Sequence, residues 1–167
     1  LPEGKKPTGE TFMHLHVLSK RPDINAVMHA HPPLVTALST TKAGKEALLL
    51  PLIPEAMMQL GPVITIPYAN PNMEELGYAF DPVVNDSNGF MLENHGALVC
   101  SPKGVLYAIQ VMESLAESII VGRIMSKKLK CLTREDAEGI DGVIHELGWA
   151  LPGAPGRYKT ITEMFYH

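Results

Sequence analysis

The stretch 24–31, Ile-Asn-Ala-Val-Met-His-Ala-His, halted by Pro32-Pro33, constrains this chain more than any other. It is apolar and alternating, which is the period of a strand. The two prolines end it just past His31 and suit the first turn of a following helix. Side chains on a strand alternate between faces, so His29 and His31 point the same way. Both imidazoles then sit at a strand terminus, where pockets usually open. Taken alone, the pair also reads as two satisfied polar residues at a strand end. His95 is the third member. Residues 90–93 and 97–100 read as strands flanking Asn94-His95-Gly96, whose residues tolerate left-handed backbone and suit a hairpin with His95 at its tip. Three imidazoles from two distant segments would form a three-nitrogen site with an open position, the usual form of a catalytic zinc centre.

The remaining sequence alternates helix and strand signals. Residues 8–20 read as a helix with Thr8 as N-cap, which puts Glu10 in the first turn, where the helix dipole favours an acidic residue. Arg21-Pro22-Asp23 ends it. His14 and His16 repeat the His-x-His pattern, but residues two apart on a helix do not face each other. His14 falls four after Glu10, on its face, as a supporting or packing residue. Residues 34–41 read as a helix. The short apolar runs 47–53 and 63–68 read as strands or strand edges, with a short helix at 55–60 between them. Residues 73–80 look helical, and 86–89 form a loop. Ser101-Pro102 supplies an N-cap and a helix-starting proline for a long amphipathic helix, 105–129, whose terminal lysines suit its dipole. Residues 133–147 are a further helix with Thr133 and Asp136 at capping-box spacing. The first 150 residues read as one domain, and 151–167, rich in Pro and Gly and then polar, as a C-terminal arm or tail. Met57, Met58, Met112 and Met125 are core candidates, Glu55 and Glu93 candidate polar pocket members, and His145 and His167 incidental. The mixture is an α/β protein, and no Gly-rich phosphate fingerprint follows any strand.

Composition excludes several classes. A net charge of −4, with no basic block beyond groups such as Lys127-Lys128 and Lys130, leaves no electrostatic footprint for nucleic acid. The densest apolar run, 47–53, is short and broken by Pro51, so no membrane span is expected. Cys100 and Cys131 are the only cysteines and read as reduced thiols in a cytoplasmic protein. The chain starts without an initiator Met inside what reads as a loop, so a segment is expected before residue 1.

Taken in order, these motifs resemble the class II aldolase/adducin family. The matching pieces are Lys-Pro-Thr-Gly-Glu at 6–10, Arg-Pro-Asp-Ile-Asn-Ala-Val-Met-His-Ala-His at 21–31, Ile-Pro-Tyr-Ala at 66–69, Glu-Leu at 75–76, Asn-His-Gly at 94–96 and the long helix after it. Within the family the chain looks most like the L-fuculose-1-phosphate aldolases. The resemblance implies a three-layer α/β/α sandwich with a largely antiparallel central sheet, and a homotetramer with active sites at subunit interfaces. It implies one zinc ion (Zn2+) per subunit on His29, His31 and His95. Glu10 matches the family's catalytic glutamate, which also binds zinc when no substrate is present. Thr8 and Gly9 match a hydroxyl pair that helps hold the substrate phosphate. The implied activity is cleavage of a ketose 1-phosphate to dihydroxyacetone phosphate and an aldehyde such as L-lactaldehyde, with zinc as Lewis acid and Glu10 moving a proton.

The same ligands also suit a pentulose-phosphate 4-epimerase or a related sugar-phosphate lyase, such as a methylthioribulose-phosphate dehydratase. A non-catalytic, adducin-like interaction module would be expected to lose metal ligands, and all three histidines stand here. The sequence departs from the family in three places. The Gly-Asn phosphate loop upstream of Glu10 is not in this sequence, and Gly9 removes one hydroxyl. Glu55-Ala56-Met57 and Leu147-Gly148-Trp149 stand where the aldolases place tyrosines, leaving Tyr158 and Tyr166 as candidate substitutes.

Overall fold

A computed structural model describes residues 4–102, 104–126 and 128–166, with side chains at all of these except 118 and 122–126. Met125, Lys127 and His167 therefore lie outside the described side chains. Four strands form one sheet: β1 (Ala26–Ala30), β2 (Ile64–Ile66), β3 (Gly89–Leu92) and β4 (Gly96–Ser101), in the order β1-β4-β3-β2. Both pairings of β4 are antiparallel, but β2 and β3 run parallel. The sheet is thus mixed rather than largely antiparallel. The cause is the connection between β2 and β3, which passes through the helix α5 (Glu74–Tyr78) and returns the chain in the same direction.

The remaining helices are α1 (Thr11–Lys20), α2 (Pro33–Ser39), α3 (Lys42–Ala47), α4 (Pro54–Gln59), α6 (Val105–Ser126), α7 (Arg134–Leu147) and α8 (Ile161–Phe165). Helices α2 and α6 lie on one face of the sheet and α1 and α5 on the other, and strand alternation decides which residues each face receives. Met91, Ala97 and Val99 pack with Val35 and with Ala108, Met112, Leu115 and Ile119, whose spacing of three and four lays one stripe of α6 on the sheet. Phe90, Leu92, Leu98 and Cys100 face the other way, onto Met13 and Val17 of α1, Leu76 of α5, and Phe80. Burial pushes the Cys100 thiol up to about 12, so it is an inert core group, and Cys131 is also unpaired. Among the described residues no helix is long and apolar enough to cross a membrane.

Three local expectations change. The helix expected from Thr8 begins at Thr11. Glu10 takes the N-cap position without a side-chain cap, because its carboxylate is turned toward His29 and His95. The run 47–53 is not a strand. It closes α3 with turns in which Leu49 N–H donates to Glu46 O and Leu50 N–H to Ala47 O, at 3.3 and 3.2 Å. Its apolarity marks burial, with Ala47 and Leu48 each 1% exposed, and the prolines at 51 and 54 prevent a ladder. The long helix ends at Ser126 rather than 129.

Two polar anchors hold this frame. Arg21, 1% exposed, forks onto Asp23 through two 2.8 Å bonds and donates to Val84 O, Ser87 O and Asn88 Oδ1. It ties the turn after α1 to the loop before β3, so its five donors are matched without solvent. Glu113 on α6 accepts from the backbone N–H groups of Leu34 and Val35. Pro32, at the N-cap of α2, offers no side-chain cap, and Glu113 replaces it from across the core. At the other end of the chain, Thr133 and Asp136 form the expected capping box, and α8 packs on α7 through Ala137, Ile144, Ile161 and Met164.

Candidate metal centre

His29 lies on β1 opposite Leu98, and His31 stands just past the strand end. The alternation of the strand puts both rings on one side, with their Nε2 atoms 3.1 Å apart. His29 Nδ1 lies 2.8 Å from Ala97 O, and a carbonyl can only accept, so the proton sits on Nδ1 and the Nε2 lone pair faces the site. Gly96 makes this packing sterically feasible. A Cβ there would stand 2.5 Å from His31 Cδ2 and 2.6 Å from Ala30 O. The left-handed turn residue is instead Asn94, at φ 54°.

His95 occupies the tip of the β3–β4 hairpin, where its N–H closes the turn onto Leu92 O at 3.1 Å. Its ring centroid stands 4.9 Å from that of His29 and 5.0 Å from that of His31. One nitrogen from each of the three rings lies within 4.8 Å of the others. Glu10 reaches in from the start of α1, with Oε2 3.1 Å from His29 Nε2 and Oε1 3.3 Å from His95 Nε2. The buried Nδ1 of His95 has no hydrogen-bond partner among the described residues.

The electrostatics of this cluster favour a cation. Burial holds the His29 imidazole below its ordinary pKa, against the opposing pull of Glu10 and of the Ala97 bond, with His95 and His31 pushing the same way as burial. Burial likewise lowers His95, opposed by Glu10 and helped by His31. Neutral imidazole is the ligand form. With its proton on Nδ1, neutral His29 directs its Nε2 lone pair at a Glu10 oxygen 3.1 Å away. Acceptor facing acceptor at that distance is unfavourable unless a positive charge lies between them. Two nitrogens about 2.0–2.1 Å from one tetrahedral ion would stand roughly 3.4 Å apart, close to the spacing found here. The donor set therefore fits a divalent metal, and His29, His31 and His95 could hold it.

A pocket of about 400 Å³ opens beside the cluster, lined by Thr8, Glu10, Thr11, His14, Leu15 and His29. Thr8 is thus on the wall, its carbonyl accepting from the Thr11 hydroxyl at 2.7 Å. Gly9 is not on the wall. It lies under Asn72, where an added Cβ would come within 2.0 Å of Oδ1. His14 is on the Glu10 face, as its spacing required, with Nδ1 3.0 Å from Glu10 O. His16 points away, to Asp81 Oδ1 at 2.7 Å. Glu55 is exposed on α4, while Glu93 is half-buried two residues before His95. Sequence reasoning missed Asn72, whose φ of 67° in Asn70-Pro71-Asn72 follows an ordinary turn signal, and Glu113, which no local signal reveals. A second cavity of about 370 Å³, lined by residues including Asn88, Ser101, Tyr107 and Trp149, has no histidine or carboxylate on its walls among the described residues. Chemistry therefore favours the imidazole-walled opening.

The Class II Aldolase and Adducin N-terminal domain family matches residues 2–120. A 3-oxo-tetronate 4-phosphate decarboxylase of Pectobacterium atrosepticum is 30% identical over 135 residues, which is 80% of this chain and 62% of that protein. An L-fuculose phosphate aldolase of Methanocaldococcus jannaschii is 33% identical over 125 residues, 73% of this chain and 65% of that protein. The crystal structure of YgbL from Escherichia coli shares the fold at a TM-score of 0.73 and 24% identity, covering 82% of this chain and 67% of that one. The chain spans less than two thirds of the length of these curated relatives.

Proposed function

The chain belongs to the class II aldolase and adducin family, and from that premise we propose that it is a divalent-metal-dependent lyase. It breaks a carbon–carbon bond beside the carbonyl of a phosphorylated sugar. The observation that carries this reading is the convergence of one nitrogen from each of three imidazoles, with the Glu10 carboxylate 3.1 Å from the His29 Nε2 lone pair, a contact that a cation relieves. Zinc is the proposed ion, since three neutral imidazoles with a further open position are its usual catalytic donor set. Bound there, it supplies Lewis-acid stabilisation of the negative charge that develops on the substrate's carbonyl oxygen.

Glu10 is the proposed proton carrier. In the aldolase reading its carboxylate takes the proton of the hydroxyl on the far carbon of the breaking bond, the carbon that becomes the aldehyde. The bond electrons then flow toward the carbonyl and an aldehyde departs. Glu10 returns the proton to the carbon left as an enediolate. Thr8, on the pocket wall, is proposed to receive the substrate phosphate; Gly9, under Asn72, stands behind it. A ketose 1-phosphate such as L-fuculose 1-phosphate fits this scheme. A homotetramer with interfacial sites is part of the proposal, supported by the exposed Leu15, Tyr68, Met73 and Tyr78 on and around α1 and α5.

A decarboxylase is the second reading, favoured by the similarity to 3-oxo-tetronate 4-phosphate decarboxylases. Loss of carbon dioxide from such a β-keto acid leaves the same enediolate of dihydroxyacetone phosphate. It needs no base to begin, only a proton from Glu10 to finish. The two readings share their second half. Hydrogen–deuterium exchange at the hydroxymethyl carbon of dihydroxyacetone phosphate, followed by NMR, therefore tests both at once. Metal-loaded protein should catalyse stereospecific exchange that a chelator abolishes. A folded, metal-bound protein that exchanges nothing overturns both readings, and release of aldehyde or of carbon dioxide from the full substrates separates them.

A further inference from the structure

The three imidazoles are held in unequal ways. His29 is fixed by strand pairing and by its bond to Ala97 O. Among the described residues the ring of His95 has an unpartnered Nδ1, and its other nitrogen is 3.3 Å from Glu10 Oε1. Its position must come from the turn that carries it, Glu93-Asn94-His95. Glu93 is the residue through which that turn is tied down. Its N–H donates to Ile66 O at 3.0 Å, extending the β2–β3 pairing by one residue. Its carboxylate accepts from Tyr68 N–H at 3.3 Å on one side and pairs with Lys45 Nζ on the other. Lys45 belongs to α3, which packs on α2, and α2 begins directly after His31-Pro32. The pair therefore closes a circuit between the segment that carries His29 and His31 and the segment that carries His95.

We propose that the Lys45–Glu93 ion pair is a positioning device for His95, bracing the hairpin tip against α3 and the loop after β2 so that the third imidazole meets the other two. The side chains are 27% and 29% exposed, and pairs so placed contribute little to global stability. The effect is therefore carried by ligand geometry. The inference rests on the metal-centre reading for its first readout and stands apart from it in the second.

Lys45→Met, Glu93→Gln and the double variant remove the pair, and Lys45→Arg restores the charge. Glu93→Gln keeps an acceptor for Tyr68 N–H and isolates the Lys45 arm. Titration with Co2+, read by its visible d–d bands, should show binding weakened roughly 10- to 100-fold in each single variant, as for other groups that orient metal ligands. The double variant should lose no more, and Lys45→Arg should recover part of the loss. The melting midpoint of the metal-free protein should move by less than about 2 °C. Co2+ affinity within twofold of the parent in Lys45→Met overturns the proposal, as does a loss matched by a falling metal-free midpoint. The second readout is the set of His95 ring C–H signals in metal-free protein. They should be single in the parent and broadened or doubled in Lys45→Met, and unchanged signals overturn the proposal. If the parent chain binds no Co2+, the metal-centre reading fails and the ring signals alone decide the positioning role.

Discussion

His14-Leu15-His16 and His29-Ala30-His31 are the same pattern set on two different backbones. On β1 the two-residue period brings the second pair onto one side, Nε2 to Nε2 at 3.1 Å. On α1, two residues turn the chain through about 200°, so His14 faces the pocket with Glu10 while His16 faces α5 and Asp81, its side chain only 11% exposed. There His16 stacks on Phe12 with ring centroids 5.5 Å apart and meets the edge of Tyr78 at 5.1 Å. One pair converges into a candidate ligand set. The other is divided between a pocket wall and the packed contact between α1 and α5. The backbone period, rather than the presence of two histidines, decides which outcome a His-x-His has.

The contrast can be broken most severely on the strand. His29→Ala should weaken Zn2+ binding by more than about 100-fold, measured by metal content after dialysis, whereas His16→Ala should leave it within about twofold. Equal losses in the two variants would mean that the helix pair also binds. Next in size is Glu10→Gln, which should retain the metal and lose about 10²- to 10⁴-fold in turnover. Gly96→Ala should cost about 1–3 kcal/mol through its contacts with His31 and Ala30, seen as an earlier denaturation midpoint, and should weaken metal binding too.

The metal-free protein offers a milder test. The folded imidazoles of His29 and His95 lie below the value of about 6.5 in the unfolded chain. Above that pH both states are neutral and the contribution to stability is complete. As pH falls below it, the unfolded chain takes up protons first, and stability drops until the lowered folded values are passed. The melting midpoint should therefore fall between pH 7.5 and 5.5, and less so in His29→Gln. The smallest effect belongs to the helix pair. The His16 and Lys20 partners hold the Asp81 carboxyl below its usual range. His16→Ala should let it rise, as followed by NMR titration, with the metal site unaffected.

Residues whose role depends on local period are legible in the sequence. The strand that carries His29 and ends one residue before His31, the hairpin under His95 and the capping box of α7 all stand where their patterns put them, to within two residues. The run 47–53 misleads because continuous apolarity reports burial and not backbone direction. Thr8 mimics a cap because a capping residue looks the same two or three positions early. Glu10 has the signature of a first-turn acid, yet it stands at the N-cap with its carboxylate spent on imidazoles instead of backbone N–H groups.

By itself the sequence determined the alternation that aligns His29 with His31, the turn that can hold His95, and membership of a family through motifs kept in order. These follow from dihedral preferences acting within a few residues. Tertiary structure alone decided that the β2–α5–β3 connection makes the sheet mixed and that Glu113 caps α2 from α6. It also decided that Asn72 closes over Gly9, and that Lys45 reaches Glu93 from 48 residues away. Such contacts join segments distant in sequence. They are set by how two layers of helices settle on one sheet, and no local propensity encodes them.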